Sequence, residues 1–156
     1  DFEFMHLALL ESKKAYKKEE VPVGCVVVVN GKVISRAHNL RHTKKNILYH
    51  AEMIAIQRAC FRLGRWILDD ATIYVTIEPC LMCLGAILQS RIKRLVYGKN
   101  EPKFGCIESM KQATTLFPGL NRLEIEKGIL SDEIEELMRS FFTKLRNKKS
   151  DDKKDA

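Results

Sequence analysis

Two short motifs bring four chemically related side chains into this chain. His50 and Glu52 lie in the tripeptide His-Ala-Glu, and Cys80 and Cys83 lie in the segment Pro-Cys-Leu-Met-Cys. One imidazole and two thiolates are ligands that zinc prefers, and a site with three protein ligands keeps a fourth position for water. Water in such a site ionises near neutral pH, and a nearby carboxylate can move its protons. The sequence therefore predicts a fold that brings the two motifs together at one hydrolytic metal site.

A Cys-x-x-Cys pair also occurs in redox-active sites and in structural zinc sites, so both alternatives need weighing. A structural zinc site normally has four protein ligands. The other cysteines and histidines offer no fourth ligand, because the cysteines lie in apolar segments and the histidines lack ligand-like spacing; they are Cys25, Cys60, Cys106, His6, His38 and His42. Three ligands with a nearby carboxylate favour a catalytic site over a structural one.

The local sequence predicts that the ligands lie at the beginnings of two helices. Cys80 and Cys83 are three positions apart, so on a helix they project from one face. Pro79 precedes them, where proline is tolerated in a first turn. Cys80 then lies at a helix N-terminus, which favours the thiolate over the thiol. His50 begins a second predicted helix, with Glu52 two positions later.

The hydrophobic pattern predicts alternating strands and helices, and therefore an α/β layered sheet whose first two strands are antiparallel. Asn30-Gly31 indicates a tight hairpin turn. Ser131 or Asp132 is expected to cap the last helix. The predicted strands are 23–29, 32–37, 72–77, 94–97 and 123–126; the predicted helices are 2–19, 50–63, 80–89 and one from 131 onward, with a loop at 38–49. No linker divides the chain, so we expect one domain over 1–146 and a charged, flexible tail over 147–156.

The net charge of +7 is concentrated in the middle of the chain. Segment 32–45 contains lysines and arginines but no acidic residue, and segment 91–103 contains one acid, Glu101. Basic clusters of this kind are typical of proteins that bind phosphates of nucleic acids, although they also occur as solvated surfaces.

No apolar segment approaches membrane-spanning length, and the N-terminus does not have the pattern of a secretory signal. Five cysteines is an odd number, and two of them belong to the predicted metal site. These features favour a protein with reduced cysteines in the cytoplasm over a disulfide-linked protein. We expect no membrane partner.

The residues around both motifs resemble the cytidine/deoxycytidylate deaminase superfamily, and within it the bacterial tRNA adenosine deaminases. The pattern H-x-E…P-C-x-x-C is the known signature of zinc-dependent nucleobase deaminases. The resemblance extends from Phe4 to Arg146, and the closing Phe-Phe-x-x-Leu-Arg of residues 141–146 favours the tRNA branch.

The resemblance implies a role for each motif residue. His50, Cys80 and Cys83 resemble the zinc ligands for one Zn²⁺ per chain, Glu52 resembles the proton shuttle, and Asn39 matches an asparagine that holds the base. The resemblance also implies a homodimer that converts adenosine to inosine at the wobble position of a tRNA anticodon loop. The implied fold is a single-domain three-layer α/β/α sandwich with a five-stranded mixed sheet.

Further residues are expected in the site from the same resemblance. Candidate substrate-binding residues are Asn39, Val23, Ala51, Ile77, Pro79, Glu101 and Phe142. Candidate RNA phosphate contacts are Arg41, Lys44, Lys45, Arg91 and Lys103. One of Phe141 and Phe142 is expected in the core, and the other could stack on RNA. The chain departs from the usual family residues at 46–49, Glu101, 107–108 and Arg122, which leaves substrate detail open.

Two rival functions remain at this stage. One is a deaminase of free guanine, cytosine or deoxycytidylate, against which the basic clusters argue because a small substrate needs no such surface. The other is a non-catalytic RNA-binding module that keeps zinc for structure, against which Glu52 argues because a structural site does not need that carboxylate.

Overall fold

A five-stranded mixed sheet lies at the centre of the computed structural model, which describes residues 1–110 and 113–155. The strand order is β2-β1-β3-β4-β5; β1 is antiparallel to β2 and β3, while β3, β4 and β5 are parallel. The strands are β1 Gly24–Val29, β2 Lys32–His38, β3 Ala71–Ile77, β4 Arg94–Lys99 and β5 Glu124–Lys127. The predicted mixed sheet with an antiparallel first pair is confirmed.

The β1–β2 hairpin turns at Asn30 and Gly31, as the sequence predicts. Both residues have positive φ, 48° and 72°. This conformation suits a two-residue turn whose twist matches that of the strands, and asparagine followed by glycine adopts it most readily.

Helices cover both faces of the sheet and produce the three predicted layers. They are α1 Phe2–Lys17, α2 Arg41–Lys44, α3 Ala51–Leu63, α4 Leu81–Gln89, α5 Ala113–Leu116 and α6 Ser131–Lys154, with a 3₁₀ helix at Pro118–Arg122. Side chains of α1 and α6 pack in one core cluster, and side chains of α3 and α4 pack in another. No helix in the described ranges is both long enough and apolar enough to cross a membrane.

Strand β1 contributes to both cores because successive side chains point to opposite faces. Val26 and Val28 pack with α1 and α6, whereas Cys25, Val27 and Val29 pack with α3 and α4. All six residues of the strand are buried. Burial on both faces explains why this strand is a continuous apolar segment instead of an alternating one.

Strand β2 lies at one edge of the sheet, and arginines of α3 cover its outer carbonyls. Arg58 donates to the carbonyl oxygen of Arg36, and Arg62 donates to that of Ile34, both at 2.7 Å. The edge strand is therefore bonded to helix side chains as well as to β1.

The last helix differs from its prediction at both ends. It begins after Leu130, whose φ is 57°, and its described first turn has no side-chain cap, so the expected cap at Ser131 or Asp132 is wrong. It also continues to Lys154, through the segment where the sequence predicts a frayed tail. The side chains of residues 147–154 are exposed, so solvent and not packing surrounds this extension. The predicted loop 38–49 also contains the one-turn helix α2.

A buried carboxylate at the end of β3 organises the loop formed by residues 101–109. Glu78 Oε1 accepts hydrogen bonds from the backbone N–H groups of Ile107, Glu108 and Ser109 at 2.9, 2.8 and 3.0 Å. Its Oε2 accepts from the N–H of Glu101 at 3.0 Å and from the Ser109 hydroxyl at 2.6 Å. Burial raises the pKa of Glu78, but the hydrogen bonds from Ser109 and the backbone hold this pKa below its ordinary value.

The same loop is attached to the beginning of α4. Gly105 forms a backbone bridge with Cys80, and the N–H of Cys106 donates to the carbonyl of Pro79 at 3.2 Å. A Cβ on Gly105 would lie 2.4 Å from Glu78 Oε2, so only glycine allows this close approach. The loop therefore forms a fixed wall beside the Cys-x-x-Cys segment.

Replacing Glu78 with glutamine should weaken this wall. The amide nitrogen of glutamine cannot accept the backbone N–H groups, and hydrogen bonds to a charged group contribute about 1.5–3 kcal/mol each. We expect the Glu78→Gln variant to lose about 2–4 kcal/mol of unfolding free energy in urea denaturation. Hydrogen exchange should accelerate at Ile107, Glu108 and Ser109.

The pH dependence of this effect has a defined sign. Because the folded-state pKa lies below the ordinary 4.5, the carboxylate stabilises the fold above pH 4.5, and the contribution declines as the pH falls below it. The difference between wild type and Glu78→Gln should therefore narrow in acid. Glu124→Gln, which removes an exposed carboxylate that pairs with Arg94, is the matched control and should change stability by less than about 1 kcal/mol. Equal losses in the two variants would contradict the assigned role of Glu78.

Candidate active site

The two sequence motifs meet in one cluster. Nδ1 of His50 lies 3.7 Å from Sγ of Cys80 and 3.6 Å from Sγ of Cys83, and the three ligand atoms all lie within 4.8 Å of one another. Ligands bound to zinc at its usual distances in tetrahedral geometry lie about 3.5–3.8 Å apart. The donor types and the spacing therefore fit a metal ion such as zinc, as the sequence predicts.

Two helix N-termini supply the three ligands. His50 is the residue immediately before α3, and Cys80 is the residue immediately before α4; both have extended backbone conformations. Cys83 follows in the first turn of α4 and is fully buried. The helices α3 and α4 cover the same face of the sheet, so their first residues come together at the ends of β1 and β3.

The cluster favours a thiolate at neutral pH. Hydrogen bonding with Cys83, and then with His50, lowers the pKa of Cys80 to about 4 despite partial burial. The same sulphur–sulphur contact raises the pKa of Cys83. The hydrogen bond with Cys80 also raises the pKa of His50. Three groups that compete for protons in this way are suited to lose those protons when a metal ion binds to them.

Glu52 lies in the first turn of α3 and is buried, with 3% of its surface exposed. Burial raises its pKa, and a hydrogen bond from the N–H of its own backbone partly offsets that rise. A carboxyl whose pKa is raised is a weaker acid, and this suits a group that must both accept and donate a proton. Its position beside the ligands fits the proton-transfer role that the sequence predicts.

Asn39 is buried and holds two segments of backbone together. Its Nδ2 donates to the carbonyl of Val21 at 3.2 Å, and its Oδ1 accepts from the N–H of Arg41 at 3.1 Å. The N–H of Asn39 also donates to the carbonyl of Val23 at 3.1 Å. The side chain thus fixes the loop ahead of α2, and its predicted contact with a base stays a prediction.

The other predicted pocket residues flank the cluster in the chain. Val23, Ala51 and Ile77 contribute to the core beneath α3 and α4, and Pro79 is buried next to Cys80. The Glu101 carboxylate accepts the backbone N–H groups of Lys103 and Phe104, so it stabilises the turn at the start of the 101–109 loop. Contacts of these five residues with a substrate remain predictions.

The two phenylalanines of α6 have different environments. Phe141 is buried and packs edge-on against Tyr16 and against Phe142. Phe142 is 38% exposed. Phe141 is therefore the core residue of the pair, and Phe142 is the one that solvent, or a bound RNA, can reach.

The five predicted phosphate contacts are accessible cations. Three lie on or beside α2, a few residues before His50, and the other two lie after α4 and in the 101–109 loop. In the described ranges none of the five forms an ion pair with an acidic side chain; they are Arg41, Lys44, Lys45, Arg91 and Lys103.

Sequence reasoning missed three carboxylates that position the site. Besides Glu78, Glu20 is fully buried and its Oε1 accepts from the N–H and hydroxyl of Thr43 at 2.6 and 3.0 Å, which fixes α2. Glu11 accepts from His38 Nδ1 at 2.9 Å; although burial raises the pKa of Glu11, hydrogen bonds from His38 and Lys14 lower it to about 2. The sequence signal that could have identified these carboxylates is an acidic residue next to an apolar segment.

The remaining cysteines Cys25 and Cys106 are buried as expected, whereas Cys60 is only half-buried.

Comparisons with known proteins agree with the geometry. The family model of the MafB19-like deaminases matches residues 1–146. The tRNA-specific adenosine deaminase of Bacillus subtilis (strain 168) is 44% identical over 94% of this chain and 91% of its own length.

Two solved structures are informative. One, from studies of A-to-I editing by tRNA:A34 deaminases at the wobble position of transfer RNA, has a TM-score of 0.83 and 38% identity, covering 88% of this chain and 99% of that chain. The other, guanine deaminase from Bacillus subtilis, has a TM-score of 0.60 and 35% identity over 63% of each chain. From its metal-ligand cluster, its fold and its relatives, this chain belongs to the family of the tRNA-specific adenosine deaminases.

Proposed function

We propose that the chain converts adenosine to inosine, by hydrolytic deamination, at the wobble position of a tRNA anticodon loop. One observation carries the proposal: His50, Cys80 and Cys83 form a three-ligand cluster with the buried carboxyl of Glu52 beside it. The proposed cofactor is one Zn²⁺ per chain, because two thiolates and an imidazole are typical zinc ligands. The names of the relatives support the substrate class.

The reaction assigns Glu52 the proton transfers. Zinc in such a site supplies Lewis-acid activation of a water molecule. Glu52 accepts a proton from the attacking water as its oxygen bonds to C6 of adenine, and delivers that proton to ring nitrogen N1. Glu52 then accepts the second proton, from the new hydroxyl group on C6, and delivers it to the amino group. The C6–amino bond breaks, ammonia leaves, and C6 becomes the carbonyl carbon of inosine. The raised pKa of Glu52 suits both directions of transfer.

The base must leave its stack to reach this buried group, which costs less in a single-stranded loop than in a duplex. We assign the surroundings of the flipped base to Asn39, Val23, Ala51, Ile77, Pro79, Glu101 and Phe142. The fixed loops on either side, held by Asn39 and Glu78, support this assignment because they preorganise the walls of the site.

The accessible cations are assigned to the RNA backbone. Arg41, Lys44 and Lys45 lie on the turn before His50, and Lys103 lies in the loop that is bridged to Cys80. Arg91 follows the C-terminal end of α4, at the opposite end of that helix from Cys80. Basic side chains that have no acidic partner are available for phosphates. This arrangement favours a polyanionic substrate.

A deaminase of free guanine is the second candidate. The 35% identity to a guanine deaminase over part of the chain favours it, because the metal chemistry is the same. It does not account for Arg41, Lys44, Lys45 and Lys103, which lie on the segments next to the cluster and form no ion pair within the described part of the chain. The two candidates differ in whether tRNA or a free base is deaminated.

We also propose that the chain acts as a homodimer in the cytoplasm. The outer surface of α4 is apolar along most of its length: Leu81 is exposed, and Met82, Gly85, Ala86 and Leu88 are half-buried. A second copy packed on this surface would bury it. A reducing compartment suits ligands that bind metal as thiolates.

Glu52→Gln should abolish deamination while retaining the metal. General acid–base catalysis contributes a factor of about 10² to 10⁴, and the amide cannot transfer the proton. We expect the wild-type protein to form inosine in tRNA transcripts, detected by sequencing, and the variant to be slower by at least about 10²-fold. Metal analysis should find about one zinc per chain in both.

Cys83→Ser is the companion variant, since it removes a ligand and leaves Glu52 intact. It should lose both zinc and activity. Stoichiometric zinc in Cys83→Ser would argue against the ligand set, and near-normal turnover in Glu52→Gln would argue against the proton-transfer role. Deamination of guanine without inosine in any tRNA would support the second candidate.

Joint replacement of Arg41, Lys44 and Lys45 with alanine should weaken tRNA binding. Each phosphate contact releases counterions, so the slope of log affinity against log salt should become less steep. Turnover at saturating RNA should change much less, because phosphate contacts position the RNA and do not touch the reacting base. Joint replacement of Lys149, Lys153 and Lys154, which lie exposed on the end of α6, makes the same charge change as a control. If both triple variants weaken binding equally, the effect comes from net charge alone.

Leu81→Asp should shift the protein from dimer to monomer. The side chain is 49% exposed, so a charge there should be tolerated by the fold, whereas it would be buried at a dimer interface. Sedimentation should show a species of twice 18.0 kDa for wild type and one of 18.0 kDa for the variant. Leu145→Asp, an exposed position on α6, should leave the dimer intact. A monomeric wild type at micromolar concentration would rule out the dimer.

A further inference from the structure

An aromatic side chain stands exposed on the loop beside the metal ligands. Phe104 is 66% exposed, although a phenylalanine in a well-packed domain is normally buried. It lies in the 101–109 loop, one residue before Gly105. Neither core cluster includes this ring.

The backbone beneath the ring is fixed from several sides. The N–H of Phe104 donates to the carboxylate of Glu101, and the N–H of Gly105 donates to the carbonyl of Glu101 at 2.8 Å. The buried Glu78 carboxylate holds both ends of the loop through Glu101 and Ser109. A side chain on such a support is presented to solvent at a defined place, so ordering it on binding costs little backbone entropy.

The loop places the ring close to the reaction site. Gly105 is bridged to Cys80, and residues paired across strands lie about 5 Å apart. Phe104 therefore lies next to a residue that directly faces a metal ligand. With the target adenosine at the metal-ligand cluster, a nucleotide that neighbours it in the RNA chain would be within reach of this position.

A cation accompanies the ring. Lys103 Nζ lies 5.2 Å from the centroid of the Phe104 ring, over one of its faces. An aromatic ring beside a basic side chain is the combination that binds single-stranded nucleic acid, since the ring stacks on a base and the cation contacts the backbone. A protein partner would be expected to bury the ring among apolar side chains, whereas the side chain that lies over this ring is the charged Lys103.

We propose that Phe104 is a stacking platform for the base of a nucleotide adjacent to the target adenosine, with Lys103 contacting the phosphate beside it. This inference rests on the proposed function, because it needs an RNA loop in the site. It adds a contact that holds the neighbouring base in a splayed conformation while the target base is in the pocket. Phe104 is a positioning residue, since it does not touch the reacting atoms.

The first test compares Phe104→Ala with Phe104→Tyr on a synthetic anticodon stem-loop. Loss of one base–aromatic stack should raise KM by about 5- to 100-fold in Phe104→Ala, with a much smaller change in kcat, and tyrosine should restore wild-type values. Phe61→Ala removes a ring that is 92% exposed at the far end of α3, and should leave KM unchanged. Unchanged KM in Phe104→Ala would overturn the proposal.

The second test identifies the stacked base. Two stem-loops, one with an abasic nucleotide immediately 5′ of the target and one with it immediately 3′, are compared with the intact stem-loop. Wild type should bind one of the two abasic stem-loops more weakly than the intact one. Phe104→Ala should bind that abasic stem-loop no more weakly than the intact one, because its ring is already absent. Full additivity at both positions would overturn the stacking role, as would a shift in sedimentation without a change in RNA affinity. If wild type makes no inosine in any stem-loop or tRNA, the proposed function fails instead.

Discussion

The site depends on two helix N-termini that point at the same small volume. Each carries a partial positive charge, and a metal cation between them would add to that charge. Two cysteine sulphurs lie within 3.7 Å of Nδ1 of His50. As thiolates bound to the ion they would offset its charge and the partial charges of the helix ends. A helix N-terminus favours the thiolate form of a cysteine, so the position of Cys80 before α4 acts in the same direction as the hydrogen bonds that lower the pKa of Cys80. The sheet supplies the geometry by packing α3 and α4 on one face.

Local signals predicted much of this arrangement. Asn30-Gly31 specifies a turn with two positive φ values, and the Cys-x-x-Cys pair specifies one face of a helix. The loop held by Glu78 could not be predicted, because its backbone hydrogen-bond donors are N–H groups 23 to 31 residues away, and backbone groups have no sequence signature. The helical course of 147–154 was missed for another reason: lysine-rich segments favour both helix and disorder, and no buried side chain decides between them.

Asn39 and Glu101 illustrate how the resemblance and the structure complement each other. The resemblance predicts that both contact a substrate, whereas the structure shows both bonded to nearby backbone. The two roles are compatible, since an amide or carboxylate has more acceptor and donor positions than these bonds use. A side chain that already has fixed partners keeps one orientation, which is what a specific contact with a base requires.

The two arginines of α3 that bind the outer edge of β2 affect how the protein behaves in a crowded solution. An edge strand presents unpaired carbonyl and N–H groups that can recruit a strand from another molecule. Arg58 and Arg62 occupy two of these carbonyls and place positive charges along the edge. A second chain approaching to extend the sheet would have to displace both guanidinium groups and meet their charge. The hairpin is thereby protected against edge-to-edge aggregation, even though its strands are rich in valine and isoleucine.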